Sequence, residues 1–388
     1  MDSMLTSMQV AALAVAGTCH ALLGSVKVPL ARKLNIDEAR VGGLVSVFGF
    51  TLIPMVLAAG FLVDSFGKQV VLSGGFAMLI VSLAMLARLT TYGTALAAVL
   101  LLGAGWSALV NVLNVTSPPA FLTAEEIPKH MAYAMNLGDF IFGMGAFATP
   151  ILIATLVPRV GLSRTLYFLA TFAIVTLLLG TGVNWEPLVT PHTESVTGGL
   201  SILLSDPIVW LCCAAFFCHV PVEASVAAWS TTLMTDRGVS ERQASTLLSA
   251  FWLAFTGSRL ANALLLPEGA DIFLVKMLGA LCIVFTVGIA LSRSARLTCA
   301  MVVVAGLMLG PIFPTLIAIL LSHVEPSLHG RMVGIFFCIG GIGWTVIPLL
   351  IGAYAKRTSV QRAFFIATAC AAGLTASSMA LHSYLPGK

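Results

Sequence analysis

His219 and Glu223 stand one helical turn apart inside an apolar run and flank Pro221. Charge at bilayer depth costs several kcal/mol, about 3 for a carboxylate at a helix centre, so such residues usually face a polar path or one another. An acid and an imidazole on one face can pass a proton, and the proline loosens the helix where they sit. The bland alternative is a neutral buried pair that ties helices together. Asp139 is the second intramembrane acid and shares a helical face with Asn136, Gly143 and Ala146. Gly17, His20, Gly24 and Lys27 form another such stripe, and Ser107, Asn111 and Asn114 a third, with Trp106 beside it. Amides and hydroxyls both donate and accept, which suits a hydroxylated solute, but they also serve as glue between helices. Lys27 near Pro29 and Arg32 also reads as a side chain snorkelling to the membrane surface. Trp229, Trp252 and Trp344 could offer flat apolar faces to a sugar ring, or simply pack. His20, Lys27, Asn111, Asn114, Asn136, His219, Trp229, Trp252 and Trp344 are therefore the candidate substrate contacts. Glu223, with Asp139 second, is the candidate proton carrier.

The elements that carry these residues are membrane helices. Hydrophobic residues make up 59% of the 388 and charged residues 9%, where a soluble domain carries about 25% charged. Apolar runs of the length a bilayer requires, roughly 20 residues, recur about twelve times. They cover 6–30, 40–63, 69–89, 94–117, 132–157, 164–184, 207–235, 244–266, 272–292, 297–322, 332–355 and 363–384. In hydrocarbon each backbone group must be bonded within its own helix, so the fold class is an all-α membrane protein. The first run has no basic n-region and its end does not resemble a cleavage site, so it is expected to be a retained helix rather than a signal peptide. The eight cysteines all lie in apolar runs without metal-ligand spacing, and no metal or cofactor is expected.

The longest polar gap, from Asn184 to Asp206, contains two prolines and two glycines. It divides the chain into an N-terminal six-helix bundle (1–184), a cytoplasmic linker (185–206) and a C-terminal six-helix bundle (207–388), with a short interfacial helix near Gly198–Ser205. Paired bundles with a substrate site between them at mid-membrane are a transporter architecture. The other loops are too short for a nucleotide-binding domain, and no phosphate loop of the Walker type occurs. Energy must come from an ion or solute gradient. Nucleophile, base and orienting residue share no motif, so an enzyme is not expected. The small dispersed charge of +4 gives no reason for nucleic-acid binding, and a monomer in the lipid bilayer is expected.

Between the second and third runs the chain reads Gly60-Phe-Leu-Val-Asp64-Ser-Phe-Gly67-Lys68-Gln. This G-x-L-x-D-x-x-G-K pattern resembles the loop between helices 2 and 3 of the major facilitator superfamily. The resemblance implies two pseudo-symmetric six-helix bundles, alternating access and a gate built from Gly60, Asp64, Gly67, Lys68, Arg259 and Arg331. It places Asp64 against the start of the eleventh helix near Arg331. It also puts the loop and both termini in the cytoplasm, in a cell membrane of bacterial inner-membrane type. The basic residues argue the other way. Arg32, Lys33, Arg40, Arg159, Arg164, Arg237, Arg242, Arg293, Arg296, Lys356, Arg357 and Arg362 fall outside in this arrangement, against Lys68, Lys129, Arg259 and Arg331 inside.

Further along, Ala214-Ala-Phe-Phe-Cys-His-Val-Pro-Val-Glu223, Trp229 and then Phe251-Trp252 with Gly257-Ser-Arg259 are similar to helices 7 and 8 of the fucose permease-like branch, as are Gly310-Pro-Ile-Phe-Pro314 and Gly340-Gly-Ile-Gly-Trp344 to its helices 10 and 11. That branch implies proton-coupled uptake of sugars or related small solutes. The first half departs from it. Where the branch's sugar permease has an acid before a helix 1 proline, this chain has Ser25 and Lys27 before Pro29, and only Ser107 or Ala108 stands near Asn111 in place of a helix 4 acid. The competing reading is an antiporter exporting drug-like or anionic compounds. The glycine-proline signature expected of antiporters is missing from Gly138–Pro150, while Lys27 and the histidines keep an anionic substrate open. A non-transporting sensor is disfavoured because no loop could house a signalling domain.

Overall fold

Capping residues and prolines decide where the apolar runs become separate helices. Asp2, Asp37, Thr91, Asp206, Ser240, Ser294 and Ser359 each accept a backbone N–H at the start of a helix, satisfying donors that the helix itself cannot. A computed structural model describes residues 2–188 and 199–385. Among them the order is α1 (Ser3–Ser25), α2 (Lys27–Leu34), α3 (Glu38–Phe66), α4 (Lys68–Arg88), α5 (Tyr92–Phe121), α6 (Ile127–Val160), α7 (Leu162–Thr181), α8 (Gly199–Ser205), α9 (Pro207–Thr235), α10 (Glu241–Leu265), α11 (Asp271–Leu291), α12 (Ala295–Leu309), α13 (Ile312–His323), α14 (His329–Arg357) and α15 (Val360–Tyr384).

Two expected spans are broken. The first divides at Val26, because Pro29 has no N–H to offer the Ser25 carbonyl. The tenth divides at Gly310–Pro311, into α12 and α13. Eleven stretches among the described residues are long and apolar enough to cross a membrane. The position expected for the eighth of the twelve spans is occupied by α10, which falls short of that apolarity because it carries Gln243, Ser249, Ser258, Arg259 and Asn262. The short helix expected near Gly198–Ser205 is α8, and Gly198 lies outside the described residues.

The chain forms two compact units. Unit 1 holds Met1–Ile127, Ile141–Thr197 and Glu325–Cys338. In it α5 packs on α1, α3 and α4. Gln9 of α1 is fully buried, donating to the Leu113 carbonyl and Ser117 while accepting from Thr116 of α5. Unit 2 holds Pro128–Phe140, Gly198–Val324 and Ile339–Lys388, with α15 packed on α9 and α11, and α10 on α12. Each unit thus takes in one short segment from the other half of the sequence. Both segments carry candidate gating or coupling residues.

Candidate functional site

The segment that unit 1 takes in begins at the N-terminus of α14, where unbonded N–H groups attract an anion. Asp64, near the end of α3, supplies it. Its carboxylate accepts from the N–H of Gly330 at 2.9 Å and of Arg331 at 2.9 Å, and the Arg331 guanidinium lies 3.5 Å away. The Asp64 side chain is 6% exposed. The approach requires glycine on both sides. A Cβ on Gly60 would strike the Gly330 carbonyl, and one on Gly330 would strike Asp64 itself. Arg331 also lies over the Phe61 ring. Gly67 turns the chain from α3 into α4 at φ 86°, which side-chain-bearing residues rarely adopt. Lys68 reaches the Leu188 carbonyl at 2.5 Å, at the end of the short 3-10 helix Glu186–Leu188. Asn111, fully buried, donates to the Gly330 carbonyl at 3.1 Å and the Val56 carbonyl at 3.4 Å. Its amide N–H groups join helices, while its Oδ1 is buried without a hydrogen-bond partner among the described residues.

In unit 2 the taken-in segment is the start of α6, and the charges are reversed. Here Arg259 of α10 is the receiving group. Its Nη2 lies 3.4 Å from Asp139 Oδ2, its Nη1 donates to the Asp139 carbonyl at 3.2 Å, and its Nε donates to the Gly310 carbonyl at 3.1 Å. The guanidinium also stacks over Phe255, 4.5 Å from the ring centre. Gly310 has a carbonyl to give because Pro314, four residues on, cannot donate to it. Sequence reasoning missed this link, although the spacing from Gly310 to Pro314 signals it. Asn136, also fully buried, donates to Thr315 at 3.2 Å and to its own helix at Ala132. Thr315 accepts from Asn262 as well, at 3.4 Å.

The pair on α9 is formed as the spacing requires. His219 Nε2 lies 3.5 Å from Glu223 Oε2, with the imidazole completely buried and the carboxylate 15% exposed. Neither imidazole nitrogen has a hydrogen-bond partner among the described residues, nor do Trp229 Nε1 and Ser230 Oγ on the same helix. Buried polar atoms left open in this way call for water or a ligand. Trp229 packs on Gly352. Trp252 meets the ring of Phe255 at 5.4 Å, and Trp344 is 43% exposed.

In unit 1, His20 joins an aromatic group with Trp106 at 5.2 Å, Phe142 at 5.7 Å and Phe48 at 6.4 Å. Trp106 is fixed by donating to the Ala16 carbonyl at 2.9 Å. Asn114, half-buried, donates to Val110 of its own helix. Lys27 does not continue the His20 stripe, because the helix breaks one residue earlier. It pairs instead with Glu38 at 3.6 Å, with the two side chains 40% and 55% exposed. Exposed pairs contribute about 0–1 kcal/mol. Lys27→Gln should therefore lower stability by less than about 1 kcal/mol and leave the transport KM unchanged. Thermal unfolding and transport kinetics would check both; a raised KM would make Lys27 a substrate contact.

The arrangement is that of a multi-pass membrane protein. The Major Facilitator Superfamily profile matches residues 10–348 and, in a second overlapping match, 223–385. The chain belongs to that superfamily. Its structure superposes on that of the E. coli fucose:proton symporter with a TM-score of 0.83 at 13% identity, covering 97% of this chain and 98% of the other. It superposes on the human organic anion transporter MFSD10 with a TM-score of 0.74 at 16% identity, covering 97% and 99%. A curated relative, Bypass of stop codon protein 6 of Saccharomyces cerevisiae, is 24% identical over 181 residues, which is 44% of this chain and 36% of that protein's length. Identities this low carry the fold and not the substrate.

Proposed function

We propose that the chain is a proton-coupled symporter of a small polar solute, a sugar in the leading case, working by alternating access. The single observation that carries this reading is the His219–Glu223 pair at 3.5 Å inside the apolar helix α9, with both imidazole nitrogens unbonded among the described residues. A protonatable acid there removes the cost of carrying a bare charge through hydrocarbon. The sequence resemblance to the fucose permease-like branch and the structural likeness to a fucose:proton symporter support the solute class. Purified protein should be screened by thermal shift against sugars, organic acids and amino acids. A bound solute raises stability by RT ln(1 + [L]/Kd), about 2.7 kcal/mol at one hundred times Kd. Stabilisation by sugars alone supports the reading; stabilisation only by organic anions favours the exporter alternative.

In the proposed orientation both termini, and the chain between Leu188 and Gly199, face the cytoplasm of a bacterial inner membrane. Alkaline phosphatase fused after Leu188 should then be inactive, and a fusion after Arg293 active. The reverse pattern would follow the basic loop residues and overturn this orientation.

A further inference from the structure

Unit 1 holds a cavity of about 470 Å³ between α1 and α2 on one side and the last turns of α6 on the other, with Ser25, Pro29, Arg32, Ile153, Ala154 and Pro158 in its lining. It lies where the spans Ser3–Ser25 and Ile127–Val160 finish, at the opposite end of the unit from Asp64. Small-molecule sites run from roughly 300 to 1,000 Å³. Arg32 is the one charged residue of the lining. It is exposed, and its guanidinium has no ion pair or hydrogen bond among the described residues. The bases beside it on both elements are engaged. Lys27 pairs with Glu38, Lys33 donates to the Ala87 carbonyl at 2.5 Å and to Ser163 at 2.9 Å, and Arg159 donates to the Thr155 carbonyl at 3.1 Å. The rest of the lining offers acceptors. Pro29 and Pro158 have no N–H for the carbonyls of Ser25 and Ala154 one turn back. The Ser25 hydroxyl donates to the Ala21 carbonyl at 2.8 Å, which leaves its oxygen open to a donor. Ile153 and Val157 supply an apolar wall.

One open guanidinium among acceptors selects a ligand that carries both an oxyanion and hydroxyl donors. A carboxylate forks onto a guanidinium through two parallel hydrogen bonds. Hydroxyls donate to the open carbonyls and to Ser25, and the C–H face of a ring rests on Ile153 and Val157. A neutral sugar would leave Arg32 without a counter-charge. An anion made only of acceptors, such as a phosphodiester, would meet the carbonyls oxygen to oxygen. We propose that this cavity is a recognition site for a carboxylated sugar, a hexuronate or an aldonate, and that Arg32 binds the carboxylate. The proposal rests on the symporter reading above and narrows its solute class. It also moves the anion-recognising role, which the sequence kept open through Lys27 and the histidines, to Arg32 of the same helix.

Binding would be measured on the full protein in detergent by thermal shift and titration calorimetry. The probes are D-glucuronate and D-gluconate against D-glucose, with succinate as an acid lacking hydroxyls and phosphoethanolamine as the soluble head of a zwitterionic lipid. Wild type should bind a sugar acid at least about tenfold more tightly than glucose. The preference should shrink as salt is raised, because Arg32 is exposed. Arg32→Gln should remove the preference while leaving glucose binding and the ligand-free unfolding midpoint where they were. Arg32→Lys should keep part of it, since the charge stays and the fork is lost, and Lys27→Gln should keep all of it. Equal binding of glucose and the sugar acids, or sugar-acid binding untouched by Arg32→Gln, would overturn the site and leave the symporter reading standing. Binding of phosphoethanolamine without the sugar acids would overturn it in favour of a lipid headgroup, and binding of none of the probes would overturn it outright. Binding of succinate with no sugar or sugar acid would count against the symporter reading as well.

Discussion

Glu223→Gln vesicles should exchange solute across the membrane yet fail to concentrate it when a pH gradient is imposed. Glutamine keeps the size and much of the hydrogen-bonding capacity of the acid but carries no exchangeable charge. Packing of α9 against α15 should survive, because Glu223 is partly exposed and its contact with His219 is an ion-pair distance rather than a hydrogen bond. A gradient of one pH unit is about 1.36 kcal/mol, enough to support about tenfold accumulation for one proton per solute. In the mutant that ratio should fall to about one, with counterflow of preloaded solute retained. Accumulation at the wild-type level would remove Glu223 as the coupling group. Loss of exchange together with accumulation would make it a solute ligand or a structural residue. His219→Gln gives a second reading on the same path. With the imidazole gone, coupling should persist but with an altered pH dependence, since the nearest titratable neighbour of Glu223 is then missing.

The parts of this architecture that were legible beforehand are those encoded within a few residues. Gly60, Asp64 and Gly67 mark a tight turn because a positive φ, a close helix approach and a helix-capping acid each demand a particular residue type. The α9 pair was legible because four residues of spacing put His219 and Glu223 on one face. What periodicity gives is the face of a helix, not what lies opposite it. Asn111 and Asn136 therefore read equally well as solute contacts or as helix joints; their amide N–H groups join helices, and their buried Oδ1 atoms are open among the described residues. The partner of Asp139 lies 120 residues away in sequence, and nothing local points to it. Proline rules would have done better than hydropathy at two places. Pro29 predicts the break after Ser25, and Pro314 predicts the open Gly310 carbonyl that Arg259 occupies. The same hydropathy reading treats α10 like its neighbours, although its Arg259 and Asn262 bind α6 and α13.

Asp64→Asn should release the segment Glu325–Cys338 from α3 and, if that docking closes the cytoplasmic side, raise labelling of cysteines reached from the cytoplasm. Asparagine can still accept one backbone N–H. Its own NH2 group, however, would face the second N–H or the Arg331 guanidinium, donor against donor. A carboxylate at a helix N-terminus contributes about 0.3–1 kcal/mol, and up to about 2 when partly buried. Breaking a buried ion pair costs about 3–5 kcal/mol, and Arg331 at 23% exposed places this one below that range. A combined bias of about 2–3 kcal/mol would change the docked-to-released ratio roughly 30- to 150-fold. Gly60→Val attacks the same contact by volume instead of charge, since its Cβ would strike the Gly330 carbonyl. Both variants should shift labelling in the same direction. Neither effect should depend strongly on salt, because an Asp64 carboxylate this buried is only weakly screened. Labelling unchanged in both variants would mean that the α3–α14 contact is packing within unit 1 and controls no gate. A shift in Gly60→Val alone would leave the gate in place and deny the carboxylate a part in it.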